Sequence, residues 1–243
     1  MLLYNYIVTE TSTSAKPIFL TFDIVYMKVI TADRMREIEE KAHSMGMLRI
    51  FMMENAGNSV ANYIFNKFKK LSGKKIVIIA GTGNNGGDAF VTARHLVYYD
   101  AIVTVFLLGS LTDLKTEEAK INWNIIEGMN SINIILAKEV SKELIRMIKD
   151  ANIIIDGIFG IGIRGEIKEP HSSIIDAINK SRAYKIAVDV PSGLDPDSGQ
   201  IHDKCVKANV TITFHRMKKG LPKKSVCGKI MVVPIGIPPD VER

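Results

Sequence analysis

The sequence predicts an α/β protein, a three-layer α/β/α sandwich built around a mostly parallel sheet. Seven short runs rich in β-branched residues alternate with helical segments of about ten residues, as βαβ crossovers require. The runs are apolar along most of their length, which is typical of strands that are covered on both faces. They span residues 74–80, 101–108, 132–136, 152–156, 184–190, 209–214 and 229–235.

The part of the chain before these runs divides into two segments. Residues 1–26 lack a basic segment followed by an uninterrupted apolar one, so a signal peptide is not expected. We interpret them as an N-terminal extension outside the fold. Helical periodicity then covers 32–44 and 50–69. Because no repeat, low-complexity tract or Pro/Gly-rich linker follows, a single domain is predicted over 27–243.

The composition excludes several classes of protein. Of 243 residues, 47% are hydrophobic and 24% are charged, as in ordinary globular proteins. The net charge of +6 is scattered along the chain, so it permits an anionic ligand but does not favour nucleic acid. The two cysteines have no metal-ligand spacing and indicate a reducing compartment. No apolar run approaches the roughly 20 residues that span a bilayer, so no membrane segment is expected.

A glycine-rich segment, GTGNNGGD at 81–88, lies directly between a predicted strand and a predicted helix. Glycines allow close approach of the backbone to a ligand, and a helix N-terminus offers N–H groups to a phosphate. The segment is neither a P-loop nor the dinucleotide fingerprint Gly-x-Gly-x-x-Gly. We interpret it as a phosphate-binding turn; the alternative is a turn that only caps the helix.

Two further strand ends carry polar clusters. Asp156 ends one run and is followed by four glycines and Arg164, and Asp189 ends another, with Ser192 three residues further on. Taken singly, each aspartate could simply bind the backbone of a turn. Three clusters at three strand ends instead favour a single site, because parallel strands bring their carboxyl ends to one edge of the sheet.

In this order, the segments MMENAG (52–57), GTGNNGGDAF (81–90), DGIFGIGIRG (156–165) and DVPSGLD (189–195) resemble the NAD(P)H-hydrate epimerases, the YjeF N-terminal domain family. The resemblance implies a Rossmann-like fold and an isomerase that interconverts the R and S forms of hydrated NADH or NADPH at C6 of the nicotinamide ring. This is a metabolite-repair reaction. It also implies a small-molecule dinucleotide as substrate, a cytoplasmic location and a homodimer, with neither nucleic acid nor membrane as a partner.

The resemblance further implies a site. One potassium ion per subunit would be held by Asn85, Asp156 and Ser192, whose oxygen atoms suit such a cation. The hydrated dinucleotide is the substrate rather than a cofactor. Its contacts, carried over by motif, are Asn84, Asn85, Gly86, Gly87, Asp88, Gly160, Ile161, Gly162, Ile163, Arg164, Gly165, Glu166 and Asp189.

The chemistry of the substrate suggests catalytic roles. C6 carries a hydroxyl beside the ring nitrogen and is therefore a hemiaminal, which loses water or opens with modest acid/base help. We hypothesise that Asp189 transfers the proton and that Asp88 assists by orientation or as a second acid/base, since no histidine is suitably placed. Lys218, in a loose match to the family pattern Phe-x-x-x-Lys-x-Gly-Leu, is left outside the site. The basic run 216–224 is interpreted as a solvated loop, and the alternative is a rim that attracts anionic ligands.

Two other function classes stay open on the residues alone. A non-catalytic nucleotide-binding or interaction protein would retain the same crevice. An NAD-dependent dehydrogenase is disfavoured, because no acidic residue ends the next strand to hold a ribose. The kinase-like dehydratase domain found in some family members is not expected, because the epimerase-like region ends close to Arg243.

Overall fold

The computed structural model describes residues 29–161, 167–201, 203–222 and 224–242. Helices and strands alternate through most of this part of the chain. In order they are β1 (Val29–Ile30), α1 (Ala32–Ser44), α2 (Arg49–Phe68), β2 (Lys75–Ala80), α3 (Asn84–Val97), β3 (Ile102–Leu107), α4 (Glu117–Glu127), β4 (Ile132–Leu136), α5 (Lys142–Asp150), β5 (Ile153–Gly157), α6 (His171–Lys180), β6 (Tyr184–Val188), β7 (Val210–Phe214), β8 (Met217–Lys218) and β9 (Lys229–Val233).

Seven strands form one sheet in the order β4-β3-β2-β5-β6-β7-β9, and every neighbouring pair is parallel. All seven predicted runs are therefore strands, and the prediction of a mostly parallel sheet is confirmed. The two-residue strands β1 and β8 pair with each other outside this sheet. This small pairing ties the start of the described chain to the segment that follows β7.

Helices cover both faces of the sheet, as the three-layer prediction requires. Ile76, Ile78 and Ala80 of β2 pack in one hydrophobic core with residues of α1, α2, α3 and α4. Val77 and Ile79, which point to the opposite face, pack in a second core with residues of α5 and α6. The period of two along a strand thus divides its side chains between two cores, which is why the strands are apolar throughout.

The predicted helices over 32–44 and 50–69 correspond to α1 and α2, the second shifted by one residue at each end. Among the described helices, none is long and apolar enough to cross a membrane. Residues 1–26 lie outside the described residues, so the extension stays a prediction, as does the single-domain boundary at 27.

The strand order reverses between β2 and β5, because the chain proceeds from β2 to one side of the sheet and from β5 to the other. Loops that leave such a switch point diverge and open a crevice at the carboxyl ends of the strands. The register places Ala80 beside Gly157 and Asp156 beside Ala187. The three polar clusters of the sequence therefore meet at this edge, as predicted.

Candidate functional site

A cavity of about 990 Å³ opens at the switch point. Cavities that hold cofactor-sized ligands have volumes of this order, about 300–1,000 Å³. Loops that follow β2, β3 and β5 line its walls, and α1 and α2 also contribute side chains to the lining. Its basic side chains are Arg36, Arg49, Lys115 and Lys168, and its acidic ones are Glu39, Glu40 and Asp113.

The glycine-rich turn after β2 brings the N-terminus of α3 to this cavity. Gly83 is the N-cap, and Asn84 and Asn85 begin the helix and line the cavity. The first N–H groups of a helix have no partner within it and attract anions. The site that the sequence predicted for a phosphate therefore has the required geometry.

The glycines of this turn also have a packing role that the sequence did not predict. A Cβ at Gly81 would lie 2.0 Å from the Ile158 carbonyl oxygen, and one at Gly86 would lie 1.9 Å from the Gly81 carbonyl oxygen. Gly87 is pressed against the Met53 side chain. Gly81 therefore allows the β2 and β5 loops to pack closely, and Gly86 and Gly87, which are buried, allow the start of α3 to pack against the turn and against α2.

Asp156 lies at the end of β5 and is fully buried. Its carboxylate accepts hydrogen bonds from the Ser192 N–H at 2.8 Å, the Ser192 hydroxyl at 2.5 Å and the Ile158 N–H at 3.3 Å. Burial raises its pKa to about 6, and these three donors offset the rise only in part. Asp156 is therefore a carboxylate with neutral donors around it.

Oxygen atoms of the predicted cation site converge around Asp156. The Phe159 carbonyl accepts hydrogen bonds from Asn85 Nδ2 at 2.9 Å and from the Ser192 hydroxyl at 3.3 Å. Carboxylate, hydroxyl, carbonyl and amide oxygens are ligands of hard cations, and a buried carboxylate needs a counter-charge. The donor set therefore fits a monovalent cation. Among the described residues, no group of three or more His, Cys, Asp or Glu could hold a metal ion.

Asp189, directly after β6, has a cationic partner. Its Oδ1 accepts hydrogen bonds from the Thr213 hydroxyl at 3.0 Å and the Phe214 N–H at 3.1 Å. The same oxygen forms an ion pair with Lys218 Nζ. Asp189 has φ of 63°, a left-handed conformation that costs a non-glycine residue on the order of 1–2 kcal/mol. Such backbone strain is often found at functional sites.

Lys218 belongs to this site, contrary to the sequence-based interpretation. Only 1% of the residue is exposed, and its ammonium group also donates to the Phe214 carbonyl oxygen at 2.9 Å. Arg216, in the same run, is 5% exposed, so the interpretation of 216–224 as a solvated loop is wrong at both positions. The loose match to the family pattern was the available signal for Lys218.

A second, small cavity of about 60 Å³ adjoins the first, and Glu39, Arg49 and Asn84 line both. Asp88, on the first turns of α3, lines only the small one. Burial raises the pKa of Asp88 well above its usual value, and the nearby charges of Asp189 and Glu39 raise it further. Asp88 is therefore stabilised in its neutral, protonated form.

The structure places the remaining predicted residues as follows. Gly160 and Ile161 line the large cavity, beside Phe159. Gly162, Ile163, Arg164, Gly165 and Glu166 lie outside the described residues, so their contacts stay a prediction. Glu39 was missed, since a glutamate on an amphipathic helix gives no sign in the sequence that it faces a ligand.

The comparisons with known proteins agree with this geometry. Residues 49–220 match the family described as YjeF-related protein N-terminus. The NAD(P)H-hydrate epimerase of Nitrosopumilus maritimus (strain SCM1) is 46% identical over 215 residues, which cover 88% of this chain and 98% of that protein. The bifunctional NAD(P)H-hydrate repair enzyme Nnr of Pyrobaculum aerophilum is 40% identical over 223 residues, 89% of this chain and 43% of that protein.

A solved structure has the same fold as this chain. The crystal structure of yeast ynu0, YNL200c, superposes with a TM-score of 0.74 at 26% identity, and the match covers 88% of this chain and 92% of that one. The family match extends over most of the described residues and includes all three strand-end clusters. The chain belongs to the YjeF-related N-terminal family.

Proposed function

We propose that this protein is an NAD(P)H-hydrate epimerase, which interconverts the R and S forms of hydrated NADH and NADPH at C6 of the nicotinamide ring. The observation that carries the proposal is the buried Asp189–Lys218 pair near Asp88, whose pKa is raised by burial and which lines a small cavity adjoining one large enough for a dinucleotide. Relatives that match almost end to end bear this name. The role is repair of a damaged metabolite.

The geometry suggests how the substrate is oriented. The helix N-terminus at Asn84 provides N–H groups for the pyrophosphate, as in other α/β folds that bind nucleotides at a switch point. Arg36 and Lys115, on different walls of the cavity, add positive charge for phosphate groups. With the pyrophosphate there, the hydrated nicotinamide would extend toward the small cavity, which Glu39 and Asp88 line.

The acid and base are distinguished by their surroundings. Asp189 is held as a carboxylate by the ammonium group of Lys218, and it is the candidate base. Burial raises the pKa of Asp88 well above its usual value, which favours the protonated form, and a protonated carboxyl group can donate a proton or a hydrogen bond. Two carboxyl groups with different protonation states can serve opposite ends of a proton-transfer reaction. This assignment gives Asp189 the catalytic role and Asp88 the assisting one.

We also propose that one potassium ion per subunit binds at Asn85, Asp156 and Ser192. The ion would supply the positive charge that the buried Asp156 carboxylate lacks, and it would hold the β5 and β6 loops at the spacing that the substrate requires. The Asn85 amide now donates to the Phe159 carbonyl, and a rotation of 180° about its last bond would present its oxygen instead.

We also propose that the protein forms a homodimer and that it is located in the cytoplasm. Leu48 and Phe51, at the start of α2, are 40% and 51% exposed, and a dimer interface at this end of α2 would bury both apolar side chains. Two buried free cysteines, Cys205 and Cys227, suit a reducing compartment. Sedimentation equilibrium would test the dimer, and a monomer at all accessible concentrations would contradict it.

The function is tested by following conversion of purified R-NADHX into the S epimer by chromatography. The assay is run in potassium buffer and again after exchange into a bulky organic cation. We expect rapid conversion in potassium and a much slower reaction without it. Absence of conversion in both buffers, by a folded protein that still binds the dinucleotide, would favour the non-catalytic binding protein.

A further inference from the structure

A third carboxyl group, Glu39, faces the site and has no role in the reaction described so far. It lies on α1, where the adjacent Ile38 is buried in the core, and its own side chain lines both the large and the small cavity. Of the carboxyl groups near the Asp189–Lys218 pair, Asp88 borders only the small cavity. Glu39 is therefore the one of these two that the substrate-sized space reaches.

The carboxyl group of Glu39 is half-buried, and among the described residues it forms neither a hydrogen bond nor an ion pair. The charged groups around it are Arg36 on α1, Arg49 on α2, Lys218 on β8 and Asp189 after β6. Asp88 on α3 and Glu118 on α4 line the small cavity with it. Glu37, also on α1, differs in having an ion-pair partner: it lies 2.7 Å from Arg34 on the exposed side of the helix.

A desolvated carboxyl group without a partner is costly to keep charged. Burial and the negative charge of Asp189 raise the pKa of Glu39, and the cationic groups around it offset this rise only in part. A carboxyl group with a raised pKa, close to a carboxylate held charged by a lysine, has the properties of a general acid opposite a general base.

We propose that Glu39 is a catalytic residue, the proton donor that acts on the C6 hydroxyl of the hydrated nicotinamide while Asp189 acts as the base. This inference rests on the proposed epimerase function. It moves Asp88 from the acid role to a positioning role, because Glu39 lines the large cavity and Asp88 lines only the small one of about 60 Å³; Asp189 lines neither cavity, and its role as the base rests on its ion pair with Lys218. Asp88 then borders the small cavity beside Glu39 without taking part in the proton transfer.

The step balances as follows. Protonated Glu39 gives its proton to the C6 hydroxyl, the C6–O bond breaks, and water leaves. The lone pair of the ring nitrogen forms a double bond to C6, and the nitrogen becomes positively charged. A second water attacks C6 from the opposite face and gives a proton to the Asp189 carboxylate, and the electron pair returns to the nitrogen. One proton has passed from Glu39 to Asp189, and the reverse reaction uses the two groups in exchanged roles.

The decisive variant is Glu39→Gln, with Glu37→Gln as the matched control on the exposed side of the same helix. We expect Glu39→Gln to lower kcat by about 100-fold or more, the usual contribution of a general acid, while the Kd for the dinucleotide stays unchanged. Glu37→Gln should keep the wild-type kcat. Should Glu39→Gln unfold, Glu39→Asp serves instead, with a reduced kcat that retains the wild-type pH dependence.

Two further readouts separate a proton donor from a structural residue. In the wild type, kcat from R to S should fall as the pH rises, because the protonated acid is consumed, and the residual rate of Glu39→Gln should lack this fall. In water labelled with oxygen-18, the S product of the wild type should carry the label. An active wild type with an equally active Glu39→Gln, or with an unlabelled product, would overturn this inference and leave the epimerase function intact.

Discussion

Asp156 and Asp189 lie at the ends of adjacent strands, 0% and 8% exposed, yet their charges are balanced in different ways. Asp156 is surrounded by a hydroxyl group and two backbone N–H groups, and its pKa is raised to about 6 by burial. Asp189 has a permanent counter-charge, because Lys218 is buried against it.

This difference indicates that the two carboxylates at one edge of the sheet are suited to different roles, ion binding at Asp156 and proton transfer at Asp189. A carboxylate with only neutral donors is suited to an exchangeable cation, since the ion supplies the missing charge. A carboxylate that is already paired with a lysine has no need of an ion and can accept a proton from a substrate. In the proposed mechanism, Asp156 at the end of β5 would be the ion-binding carboxylate and Asp189 after β6 the reactive one.

The largest expected effect is the fall in epimerisation rate when the carboxylate of Asp189, the proposed base, is removed. Asp189→Asn should lower the epimerisation rate by about 10²- to 10⁴-fold, because a general base is lost, while dinucleotide binding remains. Asp203→Asn, at an exposed position in the following loop, is the matched control and should behave as the wild type. A rate within a few-fold of the wild type for Asp189→Asn would remove Asp189 from the mechanism.

The next effect concerns stability. Lys218→Met leaves Asp189 buried without its counter-charge and should lower the free energy of unfolding by about 3–5 kcal/mol in urea denaturation. Asp189→Asn/Lys218→Met removes both charges, so it should recover part of this loss without recovering activity. If the double variant is as unstable as the sum of the two single ones, the two residues do not act as a pair.

A smaller loss of stability is expected when a hydrogen-bond donor to Asp156 is removed. Ser192→Ala removes the hydroxyl that donates to Asp156 and accepts from the Phe159 N–H at 2.9 Å. The unpaired groups should lower the free energy of unfolding by about 1–3 kcal/mol. Ser198→Ala, at an exposed position six residues further on, should leave it unchanged. Equal stability of the two variants would mean that Asp156 does not depend on the Ser192 hydroxyl.

The smallest effect is a change in pH dependence. The pKa of Asp88 is raised in the folded protein, so its contribution to stability is present at low pH and is lost as the pH rises through that pKa. Asp88→Asn cannot titrate, so the stability curve of this variant should fall less steeply, by at most about 1.4 kcal/mol per pH unit. Thermal unfolding across pH measures this slope, and identical slopes would contradict the raised pKa.

The sequence predicted the sheet and most of the site for a physical reason. Parallel strands that are buried on both faces must be apolar throughout, so all seven were visible as runs, and the polar residues after them stood out. Asp156, Ser192 and Asp189 were found in this way, and the structure brings them to one edge.

Lys218 and Glu39 could not be found by the same logic. Lys218 stands in a basic run, and its buried partner Asp189 lies 29 residues earlier in the chain, a contact that no local pattern reveals. Glu39 follows the ordinary polar spacing of a surface helix, and only the packing of α1 over the cavity turns it inward. Both depend on contacts between segments distant in sequence.

The proposed roles of Asp156 in ion binding and Asp189 in proton transfer are tested most directly by the dependence of the epimerisation rate on potassium concentration. The rate is measured for the wild type, Ser192→Ala and Asp189→Asn. We expect Ser192→Ala to need more potassium for half of its maximal rate but to approach the wild-type rate at saturation, and Asp189→Asn to stay slow at every concentration. Rescue of Asp189→Asn by potassium, or a slow Ser192→Ala at saturation, would contradict this account.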